Sequence, residues 1–289
     1  MVIVRAQNGL GAQMYHYALY QAFLKCGKDC RMSLYYYKYH FYKRYGAIHE
    51  KSYQVDDVFG TKTIISSKKD DEKLGSIDIP GRILRRFGIY KKTYFREAEY
   101  PQQIFNEKIF TMDNVYLDGY WQSYHYLDLV ETELRQQFQF SQQLDERNES
   151  ILQQIRLSNS VSIHVRRTDY LKVNFFTILG KDYYNKAIAT MRRKIKNPLF
   201  FCFSDDIAWC RENIVGNDII YVDWNTGKDS YIDMRLMSNC KHNIIANSTF
   251  SFWGAWLNSN PGKCVIRPEH FSRNGQDAID RWPQEWLQI

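Results

Sequence analysis

Long hydrophobic runs are missing: nowhere do ~18 apolar residues follow one another, so no stretch reads as a membrane span. Proline is scarce, with 6 in 289 residues, and 25% of residues are charged; collagen-like and disordered chains are thereby excluded in favour of a globular one. The six cysteines (Cys26, Cys30, Cys202, Cys210, Cys240, Cys264) contain no C-x-x-C pair. Buried free thiols are expected rather than a disulfide or metal framework. The chain opens on MVIVRA, without a basic n-region or apolar h-region, which predicts a cytoplasmic protein. No two aspartates stand two apart, so the Asp-x-Asp pair that can hold a divalent ion is missing as well. An anion bound by this chain would have to be neutralised by arginines and helix ends.

What is present begins with length. On a prior of ~100–200 residues per domain, 289 residues suit two domains, with enough chain for a sizeable core. The net charge is +7, and much of the excess is local. Arg82, Arg85, Arg86, Lys91, Lys92 and Arg96 crowd one segment; Tyr35, Tyr36, Tyr37, Tyr39, Phe41, Tyr42 and Tyr45 crowd another. Nucleic acid, an anionic membrane surface, a polyanionic substrate and a solvated face beside an aromatic wall all fit that pattern.

Taken in order, Val2–Arg5 reads as a strand leading through a glycine-containing loop into a helix over 14–25, a layout that aims backbone N–H groups at an anion. Gly9-x-Gly11 starts a dinucleotide fingerprint, but Met14 occupies its third glycine position. Residues 35–110 read as irregular, with the charged run Lys68–Lys73 as a loop. A strand over 114–120 runs into the aromatic and polar cluster Trp121–Tyr126, suited to a sugar-binding wall or to a half-buried patch. Helices are predicted over 127–138 and 145–157.

After residue 158 strands alternate with helices: strands over 161–165, 199–203, 219–222, 243–246 and 264–266, helices over 183–195, 207–214, 229–240 and 250–257. Such alternation implies a parallel sheet whose strand-to-helix loops gather on one edge. Three of these loops carry chemistry: Arg166-Arg167-Thr168-Asp169, Ser204-Asp205-Asp206 and Asn247-Ser248-Thr249. Arginine forks match phosphate oxygens bidentately, and hydroxyls at a helix start add an anion site. Asp205 and Asp206 are read as partners for a base or ribose, with a metal as the rival. The residues alone leave a nucleotide-dependent enzyme, a nicotinamide-dependent oxidoreductase and a non-catalytic nucleic-acid-binding module in play.

Four stretches resemble family 11 glycosyltransferases, the α-1,2-fucosyltransferases, and their bacterial members in particular. NGLGAQMYHYA is similar to the family's GGLGNQMFQYA, and LDGYWQSYHY to its Gly-Tyr-Trp-Gln-Ser segment. HVRRTDY matches the His-x-Arg-Arg-x-Asp motif, and DMRLMSNCKHNIIANSTFSFWGAWL the long C-terminal motif. The resemblance implies an α/β fold of GT-B type, two Rossmann-like domains facing across a cleft. The expected division is an acceptor-side domain, 1–157, with a Tyr-rich and basic insertion, and a donor domain, 158–289, whose last helix packs back on the first. It implies inverting, metal-independent transfer of L-fucose from GDP-β-L-fucose to O2 of a terminal β-galactose, with no cofactor beyond that co-substrate and no nucleic acid. Surface-polysaccharide assembly on a lipid-linked acceptor, with peripheral contact to an anionic membrane, is the expected setting.

On this reading Arg166 stabilises the departing GDP and Arg167 supports the loop. His164 and Asp205 lie near the nucleoside, and Asn247, Ser248, Thr249, Phe250 and Ser251 line phosphates and fucose. Gly11 and Gln13 close over the pyrophosphate. Asn8, His16, Asp118, Trp121, Gln122 and His125 form the acceptor side. The family's asparagine after GGLG is Ala12 here, so its contact is lost or moved to Asn8. Asp169, His16, Asp118 and His125 are all open as the base, and Asp169 serves equally as a brace for Arg166.

Overall fold

The computed structural model describes residues 1–38, 52–75, 77, 79–89, 91–275 and 277–289. Tyr39, Phe41, Tyr42 and Tyr45 of the tyrosine-rich segment lie outside the described residues. The chain divides into two units, one of Met1–Gln139 with Ala278–Trp282, the other of Phe140–Asp277 with Pro283–Ile289. The division thus falls near residue 140, where the sequence reading put 157.

The first unit is built on a four-stranded parallel sheet of β1 (Val2–Arg5), β2 (Cys30–Ser33), β3 (Tyr94–Arg96) and β4 (Val115–Asp118), in the order β2-β1-β4-β3. Val2 pairs with Cys30 on one side and Val115 on the other, which centres β1. Helix Leu10–Lys25 is buried along most of its length, from Leu10 to Tyr20 and at Ala22 and Phe23.

Two expectations fail in this unit. The run Lys68–Lys73 is a helix, Lys68–Gly75. Ser67 Oγ accepts from Asp70 N at 3.1 Å while Asp70 accepts from Ser67 N at 3.3 Å, a reciprocal cap that nucleates the first turn. Asp71 then docks the helix by accepting from Ser33 and Ser66 at 2.9 and 2.6 Å, and Leu74 enters the core beside Tyr94 and Tyr116. The helix expected over 127–138 is two short ones, His125–Asp128 and Glu131–Gln137, broken around Leu129 and Val130. Short helices Val55–Phe59 and Ile79–Arg86 also interrupt the stretch read as irregular.

The second unit carries a six-stranded parallel sheet: β5 (Asn159–Val165), β6 (Pro198–Ser204), β7 (Ile219–Val222), β8 (His242–Ile244), β9 (Val265–Arg267) and β10 (Leu287–Gln288), ordered β10-β9-β8-β5-β6-β7. β5 pairs with β6 over seven residues, from Asn159↔Pro198 to Val165↔Ser204. Val161, Ile163 and Val165 pack with Tyr184, Ile188, Met191 and Phe200. The opposite face, Ser160, Ser162 and His164, is covered too, as a parallel sheet between helix layers requires. There Asn243 donates to Ser162 Oγ at 2.7 Å and accepts from Asn258 at 2.8 Å, so the polar atoms of Ser162 and Asn243 are matched. Helix Glu146–Leu157, placed in the first domain by the sequence reading, packs on Tyr231–Asn239 of this unit.

The last helix among the described residues is Thr249–Leu257. It is the non-helical segment 278–282 that groups with the first unit. Its Asp280 accepts from Ser123 Oγ at 2.6 Å and from Phe105 N at 2.5 Å, and Arg281 donates to Gln122 at 2.7 Å. All six cysteines are free, four of them buried; Cys26 is exposed, against expectation, because it caps the end of helix Leu10–Lys25.

Candidate active site

In an open parallel sheet ligands collect where the strand order reverses, beyond the carboxyl ends of the strands. The second unit runs from β5 outward through β6 to β7, then returns to place β8 on the other side of β5. Its switch point therefore lies between β5 and β8, and the two loops that leave there are Arg166–Asp169 and Asn247–Thr249.

The arginine at that point is held rather than loose. Arg166 Nε lies 2.8 Å from Asp169 Oδ1 and its Nη2 donates to Asp169 Oδ2 at 2.9 Å, a two-pronged pairing, with Asp205 Oδ2 3.3 Å from Nε. Among the described residues Nη1 has no polar partner. Burial works against the charge, but Asp205 and Asp169 outweigh it and keep Arg166 a cation. The result is a guanidinium with one edge fixed by carboxylates and the other edge available to an anion.

Asp205, expected near the nucleoside, is engaged with the arginine loop. Its oxygens accept from Arg167 N at 2.9 Å, Thr168 N at 3.3 Å and Thr168 Oγ1 at 2.6 Å, so they hold the arginine loop in shape. Asp206 caps helix Ile207–Asn213 through Trp209 N at 3.2 Å and accepts from Arg167 Nε at 3.1 Å. Arg167 lies 4.1 Å over the Trp209 ring, a support for the loop. Among the described residues no group of three His, Cys, Asp or Glu side chains that could hold a metal ion occurs.

The Asn247 loop closes the other side. Ser248 caps helix Thr249–Leu257, its Oγ accepting from Phe250 N at 3.3 Å. Asn247 donates to Thr177 O and Phe271 O at 2.9 and 2.8 Å, and Tyr170, a residue the sequence reading did not single out, donates to Asn247 O at 2.9 Å. Ser251 turns inward to Ala246 O and Ser248 O, both at 3.1 Å, and so contributes to the turn rather than to a ligand. The His164 ring lies 5.5 Å from Phe250. Burial and then Arg166 hold it at about 3, so it is a neutral ring. His164 Nδ1 and Asn247 Oδ1 are buried without a hydrogen-bond partner, an unmet polar capacity at the switch point.

The first unit has its own switch point, between β1 and β4. Arg5 pairs with Asp118 at 2.9 Å and donates to Gln7, and Tyr94 donates to Asp118. Gly119 O accepts from Gln7 at 2.8 Å and lies 3.0 Å from His16 Nε2, so that nitrogen carries the proton and Nδ1, buried and unpartnered, is the bare one. Burial brings the His16 ring to about 4 despite the Gly119 bond. Glu97, just past β3, accepts from Tyr120 N at 2.6 Å and Trp121 N at 3.1 Å, and burial lifts its carboxyl to about 7 against those two donors. A Cβ on Gly119 would fall 2.4 Å from Glu97 Cβ, so only glycine admits this approach.

The sequence reading missed Glu97: a lone glutamate in no motif is revealed only when β3 pairs with β4. Of the residues expected here, Asp118, His16 and Trp121 do gather around Gly119. Gln13 is spent on Asn8 O, Ser52 O and Gln54 N, Gly11 lies within helix Leu10–Lys25, and Asn8, at φ 61°, accepts from Tyr36. Gln122 is taken by Arg281, and His125 sits half exposed, 3.0 Å from Asp128.

Two units built on parallel sheets, each with its chemistry at a switch point, have the architecture of the GT-B type. Comparison with known proteins agrees. The glycosyl transferase family 11 model matches residues 85–289, and the chain belongs to that family. It is 31% identical to the alpha-1,2-colitosyltransferase of Escherichia coli, over 100% of this chain and 99% of that protein. It is 34% identical to the O-antigen biosynthesis glycosyltransferase WbnK of Escherichia coli over 68% of this chain and 69% of that protein. Among solved structures, a point mutant of Arabidopsis thaliana FUT1 in complex with GDP shares the fold, with a TM-score of 0.50 at 10% identity over 99% of this chain and 75% of that one. The protein is therefore a glycosyltransferase.

Proposed function

We propose that this enzyme transfers L-fucose from GDP-β-L-fucose to O2 of a terminal β-galactose, inverting the anomeric carbon without a metal. The acceptor is a lipid-linked oligosaccharide at the cytoplasmic face of the membrane, in assembly of a bacterial O-antigen or related polysaccharide. The observation that carries this reading is the Arg166 guanidinium, braced by Asp169 and Asp205 beside the start of helix Thr249–Leu257. As the bond from the anomeric carbon to GDP lengthens, negative charge gathers on the β-phosphate. A fixed cation and a helix start lower the energy of that charge without reorganising. An oxocarbenium-like transition state puts the main demand on this departure, so a strong base at the acceptor is not required. Asp169, hydrogen-bonded through Oδ2 and ion-paired to Arg166, acts as a brace.

A second donor is favoured by one observation: the relative aligned over the whole chain is named an alpha-1,2-colitosyltransferase. Colitose is fucose without its 3-hydroxyl, so a pocket that takes one accommodates the other unless it hydrogen-bonds that hydroxyl. The test is turnover with GDP-fucose and GDP-colitose on galactose-terminated acceptors, with and without a chelator, scored by linkage analysis. An α-1,2 product from GDP-fucose in chelator is expected. Turnover only with GDP-colitose would shift the donor, and no transfer to galactose would overturn the acceptor.

A further inference from the structure

The basic segment of the first unit has an exposed apolar side. Between residues 79 and 96 the sequence carries six arginines or lysines and no acid. Helix Ile79–Arg86 and the turn after it leave Ile83 50%, Leu84 45%, Phe87 76% and Ile89 54% exposed, a run of large side chains about half or more open to solvent among the described residues. Scattered exposed apolar residues need no explanation, but four within seven positions, in a segment of one charge sign, form a patch.

Within helix Ile79–Arg86, Gly81 is buried while Ile83 and Leu84 are exposed, and Phe87 and Ile89 continue the exposed apolar run through the turn that follows. A short helix in a basic segment, with large apolar side chains exposed on it and an aromatic in the turn after it, is a form that lies in a bilayer interface. No helix among the described residues is long and apolar enough to cross a membrane, so contact through this segment is lateral.

We propose that Ile83, Leu84, Phe87 and Ile89 insert into the headgroup boundary of an anionic bilayer while the arginines and lysines of the segment meet its lipid phosphates. Charge complementarity selects this occupant. A second copy of the chain would bring the same six cations against themselves, whereas an anionic leaflet attracts them. The proposal does not depend on which sugar is transferred, because lipid binding is read without turnover.

The test is cosedimentation of the full chain with phosphatidylglycerol–phosphatidylcholine vesicles and with pure phosphatidylcholine vesicles. Two double variants are compared, Ile83→Ser with Phe87→Ser, and Arg82→Gln with Arg86→Gln. Wild type is expected to pellet with the anionic vesicles only, and each double variant to partition about tenfold or more weakly. Transfer to a soluble acceptor should stay at the wild-type rate, which separates lost docking from lost folding. A Phe87→Trp variant gives an independent readout, its added emission moving to the blue with anionic vesicles. Equal pelleting of wild type and the serine variant, or an unshifted emission from the Phe87→Trp variant, overturns the proposal. So does a dimer in sedimentation velocity that the serine variant dissociates, since the patch would then belong to a second copy.

Discussion

The two switch points place similar residues at corresponding topological positions and finish them differently. In the second unit Arg166 is clamped along one edge by Asp169 and keeps Nη1 clear. In the first, Arg5 is paired to Asp118 and Gln7, while burial holds the His16 ring neutral and raises the Glu97 carboxyl to about 7. A fixed cation beside a helix start suits a pyrophosphate, whereas a cation already paired to a carboxylate, beside a neutral ring, suits hydroxyls. The difference teaches that the sheet edge supplies position, while desolvation and pairing decide what kind of group it receives.

Exchanging Arg166 for lysine should strain this contrast most. Lysine keeps the charge but cannot hold both Asp169 oxygens and a phosphate in one plane, so turnover should fall by about 100- to 1000-fold, read as kcat at saturating donor. Wild-type kcat in that variant would remove the leaving-group role.

Glu97→Gln probes the other side. Raised from near 4.5 to about 7, Glu97 is ionised in the unfolded chain before it ionises in the folded one. Its contribution to stability is therefore full below about pH 4.5 and is lost as pH rises through 7, by at most about 3 kcal/mol. Denaturant melts across that range should show a flatter pH dependence for the glutamine variant than for wild type. Parallel curves would mean that Glu97 is ionised throughout.

Asp169→Asn retains the shape but weakens the clamp to neutral hydrogen bonds, and kcat/KM should drop about tenfold. A wild-type kcat at saturating donor, with only KM raised, would show that Asp169 orients binding only. The smallest effect is expected for His16→Gln. Glutamine can still donate to Gly119 O, so thermal stability should change by less than about 1 kcal/mol and turnover by a few-fold. A loss of kcat beyond tenfold with the fold intact would make the bare Nδ1 the acceptor's base and erase the contrast between the two sites.

How much of this could be read from the residues follows the same divide. Leu199–Phe203 is apolar on both faces and Val161–Val165 on one, and both sit between helices of clear period, so the centre of the second sheet and its three loops were legible. What Asp205 does was not. A loop aspartate looks alike whether it meets a ribose or the Arg167 and Thr168 amides, and only the closeness of β5 and β6 decides. In the first unit Tyr94-Phe95-Arg96 is too short to show alternation. Lys68–Gly75 is polar enough to read as a loop although the Ser67-x-x-Asp70 cap was there to be seen.

The return of Ala278–Trp282 to the first unit has a consequence for biosynthesis. During vectorial synthesis the strands β1 to β4 leave the ribosome long before Asp280 and Arg281, the partners of Ser123, Phe105 and Gln122. The aromatic loop after β4 therefore waits, incompletely tied, for nearly the whole of the rest of the chain. A nascent chain stopped short of residue 280 would lack these ties in the half made first, and nicking by a protease at that loop would report it.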